Sequence, residues 1–125
     1  MESLVLQPTA HTPSVSLNSD SGVFEFKGRS TPENSLDYYD PIFKWLDQYV
    51  LKPSSKTVVK LQFEYFNTSS SKCILDVLKK FVKLHNAGND VTIKWFYEEE
   101  DDDMKEAGED YSDILDIPFE IQVIP

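Results

Sequence analysis

The chain has 125 residues, of which 40% are hydrophobic and 27% are charged, and its formal net charge is −10. This size and composition suit one globular domain and exclude a disordered chain. The acidic balance disfavours nucleic acids and anionic membranes as partners, because both are bound through Lys and Arg. No apolar run approaches the ~20 residues of a membrane span and the N-terminus lacks the pattern of a signal peptide, so we expect a cytoplasmic protein.

The first part of the chain divides into an irregular lead-in and a predicted hairpin. Residues 1–13 show no periodicity, and we expect them to form a loosely ordered lead-in to a single domain over residues 14–125. Alternation in Val23–Lys27 predicts a strand. Ser14–Leu17 is its expected hairpin partner, across a turn rich in Asn, Ser, Asp and Gly.

A helix is predicted next, from the spacing of apolar residues between Leu36 and Val50. Pro41 interrupts this pattern, because a proline inside a helix removes one backbone hydrogen bond. Two alternatives follow. Asp40 caps a helix that has Pro41 at its first position, or one helix from about Ser35 to Leu51 tolerates a kink.

The clearest strand and the clearest helix follow directly after one another. Alternation in Thr57–Phe66 predicts a strand with one apolar and one polar face. The apolar face is expected to carry Val59, Leu61, Phe63 and Tyr65, and the polar face Lys60, Gln62 and Glu64. A helical pattern over Ser69–Ala87 is followed by Gly88, which is suited to end a helix.

The remaining elements complete an α/β pattern. A strand is predicted over Val91–Tyr97, a helix around Met104–Leu115, and a last strand over Phe119–Val123. The alternation of strands and helices predicts a mixed, mainly parallel sheet of four to five strands with about three helices. Lys60 and Lys94 occupy the second face of their strands, so we expect the helices mostly on one face.

The residues that commonly carry catalysis are sparse and far apart. The chain has two histidines, His11 and His85, and one cysteine, Cys73. They provide neither a nucleophile–base pair nor zinc-ligand spacing, and no Gly-rich phosphate loop is present. We therefore expect a protein that is not an enzyme and needs no metal or cofactor. His85 lies on an apolar helical stripe, which indicates a core or boundary histidine.

The net charge is concentrated in a C-terminal arm. Twelve acids and one base lie between Glu98 and Glu120. The run Glu98–Asp103 could bind a divalent cation through oxygen ligands, but it lacks the ligand spacing of an EF-hand. Acids are also favourable at the start of a helix, which is the preferred interpretation. The arm could in addition attract a basic partner, as a structural adaptor would.

The turn Asn67–Lys72 is the strongest functional signal in the chain. Four consecutive hydroxyl residues, Thr68 to Ser71, lie where the helix leaves backbone N–H groups unpaired. One hydroxyl could simply cap the helix. Alternatively, a phosphate on Thr68 or Ser69 would meet the positive end of the helix, with Lys72 close enough to assist. A third alternative is a ligand-binding module that holds a small anion or nucleotide at residues 67–72.

The same residues carry a family resemblance. The motif Asn67–Lys72 after an aromatic strand end, together with Gly28–Ser35, Trp95–Glu98, Met104–Tyr111 and Pro118–Phe119, resembles the SiaC family of bacterial regulatory phosphoproteins. The similarity extends from about Pro13 to Ile121. It implies a fold like that of anti-sigma-factor antagonists, the STAS type, which agrees with the element order.

The resemblance also implies a function. It implies partner switching in signal transduction, controlled by reversible phosphorylation of Thr68, with a serine/threonine protein kinase and a PP2C-like phosphatase setting the state. The unmodified form would bind and activate an effector such as a diguanylate cyclase, whose c-di-GMP output controls aggregation and biofilm. Asn67, Ser69, Ser70 and Lys72 are assigned to the surrounding partner-binding surface.

Overall fold

The computed structural model describes all 125 residues. Six strands and three helices follow one another along the chain: β1 Leu4–Leu6, β2 Ser14–Asn18, β3 Val23–Ser30, α1 Ser35–Tyr49, β4 Lys56–Phe66, α2 Thr68–Asn86, β5 Asp90–Tyr97, α3 Asp102–Ile114 and β6 Phe119–Val123. None of the three helices is long and apolar enough to cross a membrane.

The six strands form one sheet in the order in which they occur in the chain. The first three strands pair antiparallel, and β2 and β3 form the predicted hairpin. The pairs β3–β4, β4–β5 and β5–β6 are parallel. The prediction of a mixed, mainly parallel α/β sheet with three helices is therefore confirmed, but the sheet has six strands instead of the expected four to five.

The additional strand, β1, lies inside the segment that was expected to be an irregular lead-in. It pairs antiparallel with β2, with Leu4 opposite Leu17. The indole Nε1 of Trp45 on α1 donates a hydrogen bond to the carbonyl oxygen of Glu2 at 2.8 Å. Three residues are too few for alternation to be recognised, so this strand is defined by its partner and not by its own pattern.

All three helices pack on one face of the sheet, as predicted. The side chains on that face of the sheet and the apolar side chains of all three helices form one buried core. The sheet contributes residues that include Phe24, Leu61, Ile93 and Trp95, and the helices contribute residues that include Tyr39, Ile42, Ile74, Phe81 and Met104. On the other face, a row of charged residues crosses four strands, in the order Glu25, Lys60, Lys94 and Glu120. Helices leave that face uncovered, which explains its polarity.

Helix α1 is continuous through Pro41, which decides between the two alternatives. The helix begins after Asn34, whose side-chain oxygen accepts a hydrogen bond from the N–H of Asp37 at 3.2 Å. Asp40 is consequently not the cap. Pro41 has no N–H, so the carbonyl oxygen of Asp37 lacks its helical donor; both residues are exposed, and the unpaired acceptor is therefore not buried.

Strand β4 contains a register shift that changes which side chains face the core. Opposite β3, the pairing passes from Phe63 directly to Tyr65, so Glu64 is an extra residue. Tyr65 is consequently exposed, and the prediction that it faces the core is wrong. Phe66 takes that place, with its ring 5.7 Å from the ring of Phe63 between centroids. The irregularity therefore determines how the chain leaves β4 and enters α2.

Helix α3 is held against β5 by a glycine and a tryptophan. A Cβ atom on Gly108 would lie 2.5 Å from the Cδ1 atom of Trp95, so only glycine allows this approach. The indole Nε1 of Trp95 donates a hydrogen bond to the carbonyl oxygen of Met104 at 3.0 Å. These contacts hold α3 close to β5.

Candidate functional site

The turn between β4 and α2 lies at the carboxyl end of a central parallel strand, where α/β sheets commonly bind ligands. The helix cap is Asn67, whose side-chain oxygen accepts a hydrogen bond from the N–H of Ser70 at 2.9 Å. The N–H of Asn67 donates to the carbonyl oxygen of Ser30 at 3.0 Å, which ties the turn to β3. The interpretation of one hydroxyl as the cap is therefore wrong, and the four hydroxyls have other roles.

Ser70 does not belong to a partner-binding surface, contrary to the prediction. Its side chain is fully buried. The hydroxyl of Ser30 donates to the Oγ of Ser70 at 2.9 Å and lies 2.7 Å from the Oη of Tyr39. Because the Ser30 proton is used toward Ser70, the Tyr39 hydroxyl donates to Ser30. Burial also raises the pKa of Tyr39, which keeps it a donor.

Ser69 is exposed, but its hydroxyl joins the first turns of two helices. It donates a hydrogen bond to the side-chain oxygen of Asn67 at 3.2 Å. It also lies 2.7 Å from the Oγ of Ser35, the first residue of α1. Ser69 thus supports the geometry of the turn while one side of it remains accessible.

Ser71 makes the corresponding contact to α3. The hydroxyl of Tyr111 donates to the carbonyl oxygen of Ser71 at 3.0 Å, and the two side-chain oxygens are also 3.0 Å apart. Since the single proton of Tyr111 is used, the Ser71 hydroxyl is the donor in the second bond. Burial raises the pKa of Tyr111, so the phenol stays protonated and able to donate.

Thr68 is the exception among the four hydroxyls. It is the first residue of α2, its side chain is exposed, and its hydroxyl forms no hydrogen bond within the chain. An enzyme could therefore modify this hydroxyl without breaking an internal hydrogen bond. The residue pattern alone left Thr68 and Ser69 as alternatives, and the family resemblance implied Thr68; burial and tertiary hydrogen bonds are what distinguish the four hydroxyls in the structure.

The electrostatic surroundings of Thr68 are open to an anion. Helix α2 has no acid in its first turn, whereas α1 has Asp37 and α3 has Asp102 and Asp103. Lys72 lies four residues after Thr68, is exposed, and forms no ion pair. No acid in the first turn of α2 therefore neutralises the positive end of this helix.

The acidic run lies at the start of α3, and His85 lies near the end of α2. In the acidic run, Asp101 caps α3 by accepting a hydrogen bond from the N–H of Met104 at 3.0 Å, as the helix-start interpretation predicts. No group of three or more His, Cys, Asp or Glu residues is arranged to hold a metal ion. His85 is half-buried at the end of α2, and its buried Nδ1 atom has no hydrogen-bond partner.

Comparison with known proteins identifies the family. A model of the SiaC family of regulatory phosphoproteins matches residues 6–124. The structure superimposes on SiaC of Pseudomonas aeruginosa with a TM-score of 0.91 and 27% sequence identity, covering 99% of this chain and 100% of that one. The chain is also 27% identical to an uncharacterised protein of the same species over 122 residues, which are 98% of this chain and 97% of the relative.

A further solved structure contains a partner. It holds the diguanylate cyclase SiaD of Pseudomonas aeruginosa in complex with its activator SiaC. This chain matches that SiaC with a TM-score of 0.91 and 26% identity, covering 97% of this chain and 99% of the other. The chain described here belongs to the SiaC family of regulatory phosphoproteins.

Proposed function

We propose that this SiaC-family chain is a non-enzymatic partner-switching regulator, whose binding to an effector is controlled by reversible phosphorylation of Thr68. The observation that carries the proposal is the distribution of hydrogen bonds in the turn. Ser69 and Ser71 use their hydroxyls in contacts to neighbouring helices, and Ser70 is buried. Thr68 alone offers an exposed hydroxyl without an internal partner.

The helix start supports the phosphorylated state. A phosphate carries about −1.5 to −2 charge at neutral pH and would lie at the positive end of α2, where anions are favoured. Lys72, one turn later, can pair with it at the spacing i, i+4. Phosphorylation is therefore compatible with the folded domain and changes mainly what the surface offers to a partner.

The proposed partners follow from the family. A serine/threonine kinase and a PP2C-like phosphatase would set the state of Thr68. The unmodified form would bind and activate a diguanylate cyclase and so act in c-di-GMP signalling, aggregation and biofilm formation, which is supported by the complex of a related SiaC with SiaD. Asn67, Ser69 and Lys72 remain the proposed contact residues around Thr68. We assign this role to the cytoplasm, in keeping with the free thiol of Cys73.

The proposal is tested by mass spectrometry of the protein isolated from its source organism, with the kinase gene present or deleted. We expect a kinase-dependent mass gain of one phosphate, located on Thr68. Thr68→Ala should abolish the gain, and the neighbouring Ser69→Ala should retain it. Full phosphorylation of the Thr68→Ala variant at another residue would show that the site assignment is wrong.

A further inference from the structure

The sheet ends in two strands that have no partner on their outer side, β1 and β6. β1 has three residues, Leu4–Leu6, whereas β6 has five, Phe119–Val123. Proteins commonly protect such edges with a very short strand, a proline, a lysine or a β-bulge. β1 is very short, but β6 has none of these features and pairs with β5 in unbroken register. β6 is therefore the open edge of the sheet.

The backbone of β6 directs alternate residues toward β5 and toward this edge. The N–H of Ile93 donates to the carbonyl oxygen of Pro118 at 3.1 Å, and the N–H of Ile124 donates to the carbonyl oxygen of Tyr97 at 2.8 Å. Because a parallel ladder is evenly spaced, every second residue of β6 bonds to β5 through both of its backbone groups. The residues between them, whose N–H and C=O groups point outward, are Phe119, Ile121 and Val123.

The side chains of β6 alternate as well. Phe119 and Ile121 are half-buried on the helix side of the sheet, where they pack against the core. Val123 continues this row and is 43% exposed. Glu120 and Gln122 lie on the open face, where Helices α1 to α3 do not cover the sheet. A strand added at this edge would therefore place apolar side chains on the helix side and polar ones beside Glu120.

The charges around β6 indicate what kind of strand fits there. Twelve acids and one base lie between Glu98 and Glu120, and helix α3 of this region packs on β6. None of these acids forms an ion pair, because the ion pairs of the structure are Lys44–Asp40 and Lys80–Asp47. Pairing of two copies through β6 would bring two acidic regions together, which is unfavourable. A basic segment is complementary to this edge.

We propose that β6 is an interaction surface that receives an extended segment of a partner, in which apolar residues alternate with Lys or Arg. The backbone of the segment would bond to the outward groups of β6, as in other cases of strand addition to a sheet edge. Its apolar side chains would lie beside Ile121, and a basic side chain would lie opposite Glu120. β6 is two strands away from β4, which leads to Thr68, so this surface is separate from the phosphorylation site.

The first test is amide hydrogen exchange of the full chain with the peptide acetyl-Lys-Val-Lys-Ile-Lys-Val-Lys-amide. We expect the exchange of the Phe119, Ile121 and Val123 amides to slow at least about tenfold, because each gains a hydrogen-bond acceptor. The amides of β1, at the other edge, should keep their rates. Unchanged rates in β6 at saturating peptide, or slower exchange in β1 instead, would overturn the inference.

A proline tests the backbone contact directly. Ile121→Pro removes an outward N–H while leaving the hydrogen bonds to β5, and proline is tolerated in an edge strand at such a position. In calorimetric titration it should bind the peptide at least about fivefold more weakly. Ile121→Val keeps the N–H and is the control. Circular dichroism establishes that both variants are folded, and equal affinities would contradict strand addition.

A charge reversal tests the basic character of the segment without altering the backbone. Glu120→Lys should weaken binding of the peptide at least about threefold, because like charges would then lie opposite one another. It should also strengthen binding of the peptide in which Glu replaces each Lys. Glu25→Lys is the matched control, since Glu25 is exposed in the same row of the open face but lies on β3. It should change the affinity by less than about twofold. Equal effects of the two variants would show general charge attraction and overturn the inference.

The other possible occupants give different results. A dimer of the chain alone that Ile121→Pro dissociates would show that a second copy occupies the edge, which overturns the basic segment. Equal affinity for a peptide with the same charges and a central proline would overturn strand addition. Thr68→Glu should bind the peptide as the unmodified chain does, and loss of binding in that variant would contradict a separate surface.

Discussion

The Tyr111 side chain on α3 holds Ser71 on α2 by two hydrogen bonds, one to its carbonyl oxygen and one to its hydroxyl, each 3.0 Å long. Ser71 lies in the first turn of α2, one turn after Thr68. Tyr111 therefore links α3 directly to the helix turn that carries the proposed phosphorylation site.

Removal of this hydroxyl should destabilise the domain. For Tyr111→Phe we expect the free energy of unfolding to fall by about 1–3 kcal/mol, since two bonds are lost and a half-buried carbonyl loses a partner. Urea denaturation measures the change. Tyr65→Phe is the control, because Tyr65 is exposed and its hydroxyl forms no internal hydrogen bond; its effect should stay within about 0.5 kcal/mol. Equal effects of the two variants would show that the Ser71 contact does not stabilise the fold.

A methyl group at Gly108 should displace α3. The added Cβ of Gly108→Ala would approach the Trp95 indole to 2.5 Å, and the indole is buried and cannot move aside. We expect a loss of about 1–3 kcal/mol in the free energy of unfolding. In a Trp95→Phe background, which has room at this point, the same substitution should cost less. A double-mutant cycle measures the difference, and additive costs would contradict a clash between the two side chains.

The Asn67 cap can be separated from the hydroxyls that follow it. Asn67→Ala should reduce the free energy of unfolding by about 0.5–2 kcal/mol, because the N–H of Ser70 loses its acceptor. Asn67→Asp keeps an oxygen at the same place and adds a negative charge at the helix start, so it should retain the stability. Thermal or urea unfolding of both variants is the measurement. Equal losses in the two variants would argue against a capping role.

The half-buried Tyr38 predicts a loss of stability in alkali. Burial raises the pKa of Tyr38 from 10.0 to about 12. A phenol with a higher pKa in the folded than in the unfolded state contributes stability that is complete below pH 10 and is lost as the pH rises toward 12. The urea midpoint should therefore decrease above pH 10, and less steeply in Tyr38→Phe. Tyr65→Phe is the exposed control and should keep the slope of the unmodified chain, whereas identical slopes for all three proteins would contradict the prediction.

The sequence was sufficient to predict those helices and strands whose structure follows from a local pattern of residues. The periodicities of β4 and α2 predicted both elements to within one or two residues, and Gly88, with φ of +99°, follows the helix as expected. The turn at Asn67–Lys72 was consequently located in the sequence, and its position at the carboxyl end of a parallel strand followed from the element order.

The remaining features depend on contacts between distant residues. β1 is a strand because β2 provides its partners, and the exposure of Tyr65 follows from an irregular register with β3. Ser70 is buried because α1 and β3 contribute Tyr39 and Ser30 to the same cluster. The sequence pattern does not show the burial or the hydrogen bonds of the four adjacent hydroxyls, because tertiary packing gives each of them a different environment.

The most direct test of the phosphorylation switch is calorimetric titration of the SiaD-like cyclase with the chain in three forms: unmodified, phosphorylated at Thr68 by its kinase, and Thr68→Ala after the same kinase treatment. We expect the unmodified and the Thr68→Ala forms to bind with similar affinity, and the phosphorylated form to bind at least about tenfold more weakly, a difference of about 1.4 kcal/mol. Equal affinity of the phosphorylated and unmodified forms would contradict the switch.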